Sequence, residues 1–451
     1  MVDGDGRILG LNGAPLITRY PAPGRAEQDA DAVWRTTRAV ARRALAGAGL
    51  SARQIGAVAL TTQRASGVLW DRQSGRAASP LVLWSDLRGA GRAGELLAAG
   101  YPLSPQQPAT RLESMVAESG RAPGELAWGG LDSWLIWRLS GGGMHVADRS
   151  QAWPSGYLSL PDLAWNERLI EHQGLGELTF PRLTDTFGAV GELNSRVLGA
   201  ALPITASVAD QQAALVAHGE APGTAKITWG TSGTFDLMTE GLDFSGLPSL
   251  PPLVVWQADG ATRHCIEGMI LAAGSAVDWL RRTMGIAHIQ AFDRAASACE
   301  DSAGACFLPA LYGLGAPHGQ PAARGRLVGL SAQTGRGHIA RAGYEGLAWR
   351  AREIIERAGL PTGVSIGVDG GLTRSAGFLQ ILSDALGRPV RPLASREATL
   401  LGAALLARRG AGLGGEAAFR AGLATGHAVQ PTIDPARSAA RFEAWTAAVY
   451  G

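Results

Sequence analysis

The segment VSIGVDGGLTRSAGFLQIL, residues 364–382, carries a short apolar strand straight into a double glycine and then into a helix. An apolar run with no spacer before such a turn is the pattern of a strand buried in a sheet, whose end opens onto a loop and a covering helix. LPITASVADQQAALVAH, residues 202–218, repeats the pattern with Asp210 at the junction. Junctions of this kind, with the helix-to-strand unit of residues 31–60, point to an α/β chain.

The rest of the chain fits that class. Asp31–Ala48 has helical spacing, and IGAVAL, residues 55–60, reads as a buried strand ending in the polar cluster TTQR. Gly67–Asp71 and Leu81–Trp84 read as strands joined by DRQSG, and GLDSWLIWRL, residues 130–139, as a buried helix. The segment Tyr101–Pro123 is polar and proline-containing. The opening residues MVDGDGRILGLNGAPLITRY predict a hairpin around their Asp-Gly and Asn-Gly turns. AKITWGTSGTFDLMT predicts two strands joined by a glycine turn, Met269–Arg282 a helix, FLPALYGLGAPHGQPAARG a long loop, and Ile339–Arg357 a helix. At 451 residues the chain should divide in two, and GEAPG, residues 219–223, is the natural boundary.

Composition excludes several classes. Lysine and arginine total 41 against 39 acidic residues, so no strong field draws in nucleic acid or an anionic membrane. No apolar run approaches the roughly 20 residues that span a bilayer. Cys265, Cys299 and Cys306 are odd in number and lack metal-ligand spacing, which points to a reducing, cytoplasmic setting.

Three groups of residues carry chemistry. Asp210 lies at the C-terminal edge of a strand, where α/β sheets bind ligands. A helix N-cap is the plainer reading of it, and a general base for an attacking hydroxyl the functional one. WGTSGT, residues 229–234, and DGGLTRS, residues 369–375, could each aim bare backbone at a nucleotide, or each could be a turn that needs glycine for its shape. With no G-x-G-x-x-G after the first strand, the pair favours ATP over a dinucleotide. Arg64 in TTQRASG, with Trp84 and Asp86 in LWSDLR, offers planar polar groups and an aromatic face suited to a sugar or polyol. The competing reading makes Trp84 core and Arg64 a surface ion pair.

Eight segments then occur in one order: GRAEQDADAVW, TTQRASGVLWDRQSG, GLDSWLIWRLSGG followed by HVAD, ADQQAAL, TWGTSGTF, GLGAPHGQPAARG, VDGGLTRSAGFLQILSDALG and REATLLGAALLA. In that order they resemble the FGGY carbohydrate kinases, and within them the glycerol kinase branch, over nearly the full length. The resemblance implies two ribonuclease-H-like domains of the actin-like ATPase superfamily around a central cleft. Residues 1–218 would be the acceptor-binding N-terminal domain, and 219–451 the nucleotide-binding C-terminal domain. It makes Asp210 the base and a magnesium contact, and gives Arg64, Trp84, Asp86 and Gln106 to the acceptor. Gly230, Thr231, Gly274, Asp278, Gly370, Gly371 and Ser375 would meet the nucleotide, with ATP and Mg2+ as cofactors and a small sugar or polyol as partner. Relatives in that branch often form dimers or tetramers, so a homo-oligomer is an expectation as well.

The sequence departs from the branch at identifiable points. Ala65 replaces a glutamate after the matched arginine, Gln106 stands near a substrate tyrosine, and Thr234 replaces a phenylalanine beside the phosphate turn. These changes, with the GTSG turn and LWSDLR, point from glycerol towards a different or larger acceptor. The family's first strand and its D-x-G-T/S phosphate turn have no counterpart in the sequence as given, which begins at the following strand. Their loss should cost on the order of several kcal/mol of transition-state stabilisation. A non-catalytic nucleotide- or sugar-binding sensor is therefore the alternative to an active kinase.

Overall fold

The computed structural model describes residues 1–159, 162–243, 246, 248–423 and 426–451. Its contacts separate two compact units, and these differ from two contiguous halves. The first holds Met1–Ala217 with Val254–Thr262 and Thr399–Gly422; the second holds His218–Leu253, Arg263–Ala398 and Leu423–Gly451.

In the first unit, strand β1 (Val58–Thr62) lies parallel to β5 (Leu202–Ala209), which pairs antiparallel with β4 (Phe187–Leu193). β5 is buried at seven of its eight positions, which fits its near-continuous apolar run. A second sheet pairs β2 (Gly67–Asp71) antiparallel with β3 (Leu126–Gly130) and with Leu81–Val82. Helix α1 (Ala30–Gly47) begins at Asp29, whose carboxylate accepts the Ala32 amide at 2.7 Å. Helix α2 (Leu131–Leu139) is buried on almost every side, and its Trp134 indole donates to the Ala30 carbonyl at 3.2 Å. Trp70, Trp134, Val68, Leu81 and Ile204 share one core; Trp128, Tyr157, Leu112 and Met115 form another. The tryptophans of GLDSWLIWRL are accordingly packing residues.

The expected hairpin at the start does not form as a strand pair. Val2 and Ile8 make an isolated bridge, and Arg19 bridges Glu27 instead. A two-stranded ribbon is marginal unless it joins a larger sheet, and of residues 1–20 only Arg19 reaches one, at the edge strand Glu27–Gln28. Helix α3 (Asp210–His218) follows β5 directly, without a loop.

The second unit is built on β6 (Ala225–Trp229), β7 (Gly233–Thr239), β8 (Ala261–Ile270), β9 (Ile366–Asp369) and β10 (Val390–Pro392). Within a six-stranded sheet their order is β8-β7-β6-β9-β10, with β8, β7 and β6 antiparallel, β9 parallel to β6 and β10 parallel to β9. A three-stranded meander extended by two parallel strands is the ribonuclease-H-like arrangement. Met269 and Ile270, expected to open a helix, instead end β8; the helix α4 (Gly274–Thr283) starts only after them. Helices α5 (Ile289–Ser297), α6 (Arg336–Arg357) and α7 (Ala376–Leu386) enclose Phe292, Tyr344 and Phe378 with Trp229. No helix among the described residues is long and apolar enough to cross a membrane.

Candidate active site

β1 and β5 are neighbours in parallel, with Thr62 opposite Ala209, so the residues just beyond them emerge together. These are Arg64 and Asp210. The Arg64 Nε lies 4.0 Å from Asp210 Oδ1, and the aspartate side chain is 34% exposed against 14% for the arginine. Asp210 is the first residue of α3 rather than the residue before it, and its Oδ1 accepts the Gln211 amide at 2.8 Å. The carboxylate therefore steadies the helix start while keeping a face open to solvent. The N-cap reading of the sequence is met only in part, since Asp210 lies inside the first turn of the helix and its contact to the next amide leaves the carboxylate partly open.

Around Arg64 the loop is tightly specified. Ala65 has φ 51°, a left-handed conformation that costs an alanine about 1 kcal/mol or more. The Ser66 hydroxyl donates to the Arg64 carbonyl at 3.3 Å and accepts the Trp84 amide at 3.1 Å, tying two expected acceptor residues together. Trp84 leaves 38% of its surface exposed, an unusual state for tryptophan and one that suits an aromatic platform. Gln106 is half-buried.

Asp86 is placed differently from expectation. Its side chain is fully buried, taking the Ala26 amide at 2.7 Å, the Arg88 amide at 3.0 Å and the Arg88 guanidinium at 2.9 Å. Arg88 in turn pairs with Glu27 and Glu118. Burial opposes the charge on Asp86, but these donors prevail and hold it below the usual carboxylate range. Asp86 thus organises its loop from within and does not face outward to a ligand. The W-S-D-L-R pattern alone could not distinguish the two placements.

Behind Ala65 lies a small cavity lined by Ala65, Ser66, Pro108, Gly130, Asp132 and Gln151, among others. Asp132 is almost wholly buried, and neither carboxylate oxygen has a hydrogen-bond partner among the described residues. Burial, reinforced by the nearby Asp148 charge, pushes it up to about 8. Asp148 accepts the amides of Ser150 and Gln151 and the Thr186 hydroxyl, so of the two it is the better able to bear charge.

The second unit assembles the glycine turns. β6 and β9 are parallel with Thr228 opposite Asp369, which puts Trp229–Gly230 beside Gly370. Gly370 has φ 92°, and a Cβ there would lie 2.5 Å from the Trp229 carbonyl oxygen, so only glycine fits. Gly371 and Gly230, by contrast, have no such obstruction, the nearest atoms lying 4.0 and 3.6 Å from an added Cβ. The start of α4 packs on the first turn: the Gly274 amide donates to the Gly230 carbonyl at 2.9 Å, and the Ala273 and Ser275 amides to Thr231 at 3.0 and 3.1 Å. Gly230, Thr231, Gly274, Gly370 and Gly371 are therefore brought together.

Ser375 and Asp278 are committed elsewhere. The Ser375 hydroxyl caps α7 at the Phe378 amide, 2.8 Å away, and donates to Asp293. Asp278 is engaged by Arg281 and Arg282 of its own helix. Beneath the turns lie two buried pairs that sequence reasoning missed, His218 Nε2 with Asp369 Oδ2 at 2.8 Å and Lys226 Nζ with Asp236 Oδ2 at 2.7 Å. Burial favours a neutral lysine, but Asp236 and Asp369 raise its pKa above the ordinary value.

Two glycine turns at neighbouring strand ends, packed by a helix start on a ribonuclease-H-like sheet, fit the fold class of the actin-like ATPase superfamily. The comparisons specify the class further. The FGGY carbohydrate kinase N-terminal domain model matches residues 1–217 and the C-terminal domain model residues 225–411. A glycerol kinase of Dechloromonas aromatica is 35% identical, over 98% of this chain and 93% of that protein. Among solved structures, Plasmodium falciparum glycerol kinase with ADP aligns with a TM-score of 0.90 at 23% identity, covering 100% of this chain and 94% of that one. Xylulose kinase from Rhodospirillum rubrum aligns at 0.81 with 25% identity, covering 96% and 92%. The chain belongs to the FGGY family of carbohydrate kinases, whose members are sugar and polyol kinases.

Proposed function

We propose that this protein transfers the terminal phosphoryl group of ATP to a hydroxyl of a sugar or polyol, with Asp210 as the general base. The observation that carries this reading is the partly open Asp210 carboxylate at the end of β5, beside Arg64 at the end of β1. A carboxylate there can accept the acceptor's hydroxyl proton as its oxygen attacks phosphorus. Arg64 holds acceptor oxygens by its guanidinium, and the exposed Trp84 face packs against acceptor carbons. Gln106 adds an amide to the same group.

Gly230, Thr231, Gly274, Gly370 and Gly371 hold the nucleotide through backbone amides and close approach. The unobstructed Gly230 and Gly371 support that fit, because a flat or phosphorylated group can lie directly on them. Magnesium, when bound, neutralises charge on the transferring phosphoryl group. Among the described residues no cluster of three or more His, Cys, Asp or Glu could hold a metal. Asp210 is the residue of this chain that would meet such an ion.

Ala65, small where the glycerol kinase branch carries glutamate, favours an acceptor other than glycerol. Three free cysteines support a reducing cytoplasm as the working compartment. The test is ADP release from ATP and magnesium with glycerol, longer polyols and ketopentoses supplied in turn. Acceptor-dependent release with a phosphorylated product is expected; release that no acceptor stimulates overturns the reading. Sedimentation of the purified chain reads whether it forms the homo-oligomer expected from its branch.

A further inference from the structure

The polar segment Tyr101–Pro123 contains one side chain that the site above does not use. Arg111, at the start of the helix Leu112–Ser119, is only 1% exposed and ranks among the largest fully buried side chains. Its guanidinium is spent on main-chain oxygens. Nη2 donates to the Ala65 carbonyl at 2.6 Å, and Nη1 to the Gln106 carbonyl at 2.9 Å and the Asp86 carbonyl at 3.2 Å. Its Nε has no partner among the described residues. Those three carbonyls belong to the three segments that carry the acceptor contacts: Ala65 follows Arg64, Asp86 lies two residues after Trp84, and Gln106 is itself one.

We propose that Arg111 is the positioning residue of the acceptor site, a buried cation that fixes the Arg64, Trp84 and Gln106 segments relative to one another through their backbones. A guanidinium suits the task because its planar fork reaches three oxygens in fixed directions, which an ammonium cannot do. The clamp also explains how Ala65 is kept in its left-handed conformation: the carbonyl it presents is the one that Arg111 Nη2 holds. Ser66 completes the tie between the first two segments. Arg111 touches no acceptor in this scheme and acts through the loops.

This inference rests on the acceptor reading of Arg64 and Trp84, so two readouts are needed. Arg111→Lys and Arg111→Met are compared with the unaltered chain by backbone hydrogen exchange and by kinetics. Exchange in segments 64–66, 84–88 and 104–107 should rise at least tenfold, with the glycine turns of the second unit unchanged. Acceptor KM should rise at least tenfold, with ADP affinity within twofold. Loosening of the three segments without a change in acceptor KM would leave the clamp standing and refute the acceptor reading. Unchanged exchange in a folded variant overturns the proposal. So does loss of ADP binding in step with acceptor binding, or failure of both variants to fold, since each marks Arg111 as a general core residue.

Discussion

Asparagine at position 210 would keep the shape and the Gln211 contact of aspartate but could not take a proton from a hydroxyl. Asp210→Asn should therefore lower kcat by about 10²–10⁴-fold while leaving ADP affinity nearly intact, as read by steady-state kinetics and a binding titration. At Gly370 the argument is steric. Gly370→Ala would set a methyl 2.5 Å from the Trp229 carbonyl oxygen in a left-handed conformation. The expected loss of about 1–3 kcal/mol in urea unfolding should come with weakened ADP binding. Legibility at this scale was uneven. Asp210 and the turn glycines stand at the ends of apolar runs, and Arg64 in the polar cluster that closes one. Asp86 sits in equally suggestive sequence, yet its carboxylate is spent on Ala26 and Arg88. Ser375 is similarly diverted to a helix cap. Arg111 gave no signal, because a lone arginine in a polar segment reads as a solvated charge until the fold closes over it.

Strand ends matter more than strands for this site. β6 and β9 bring the two turns together by their parallel register, and α4 fixes the first turn by three amide bonds. In Gly274→Ala the added methyl would meet the Gly230 carbonyl oxygen at 2.6 Å, so the turn must shift. ADP affinity should fall at least tenfold, while acceptor contacts in the first unit stay as they are. Beneath these elements Lys226 and Asp236 form a fully buried pair. Lys226→Met would strand the aspartate, and the expected cost is about 3–5 kcal/mol in denaturant unfolding. The elements flanking the site were readable because buried strands and helices have strong periodicity. Residues 1–20 were not, since a hairpin signal fixes a local turn but needs a neighbouring sheet to become structure. The start of α4 was also misplaced, because the apolar run MILAA carries on from the strand and the break comes only at Gly274–Ser275.

For the molecule as a whole, Asp132 sets a pH dependence. Its folded pKa, about 8, stands above the unfolded carboxylate value of about 4, so the stability it contributes is complete below about pH 4, declines from there, and is gone once pH has risen through 8. Asp148, raised to about 6, acts in the same sense at lower pH and has finished by about 7. Urea midpoints should therefore fall between pH 7 and 9, and Asp132→Asn should flatten that fall. A midpoint constant across the interval in the unaltered chain would contradict the burial argument. The two-unit α/β plan and the family were legible in the order of eight segments, whereas the grouping of Thr399–Gly422 with the first unit was not, because it depends on where a late helix packs. The central claim concerns chemistry, and one comparison tests it most directly. Acceptor-dependent ADP release is measured for the unaltered chain and for Asp210→Asn at saturating ATP and magnesium. The account predicts release with a sugar or polyol that falls at least a hundredfold in the variant. Equal release from the two proteins would contradict it.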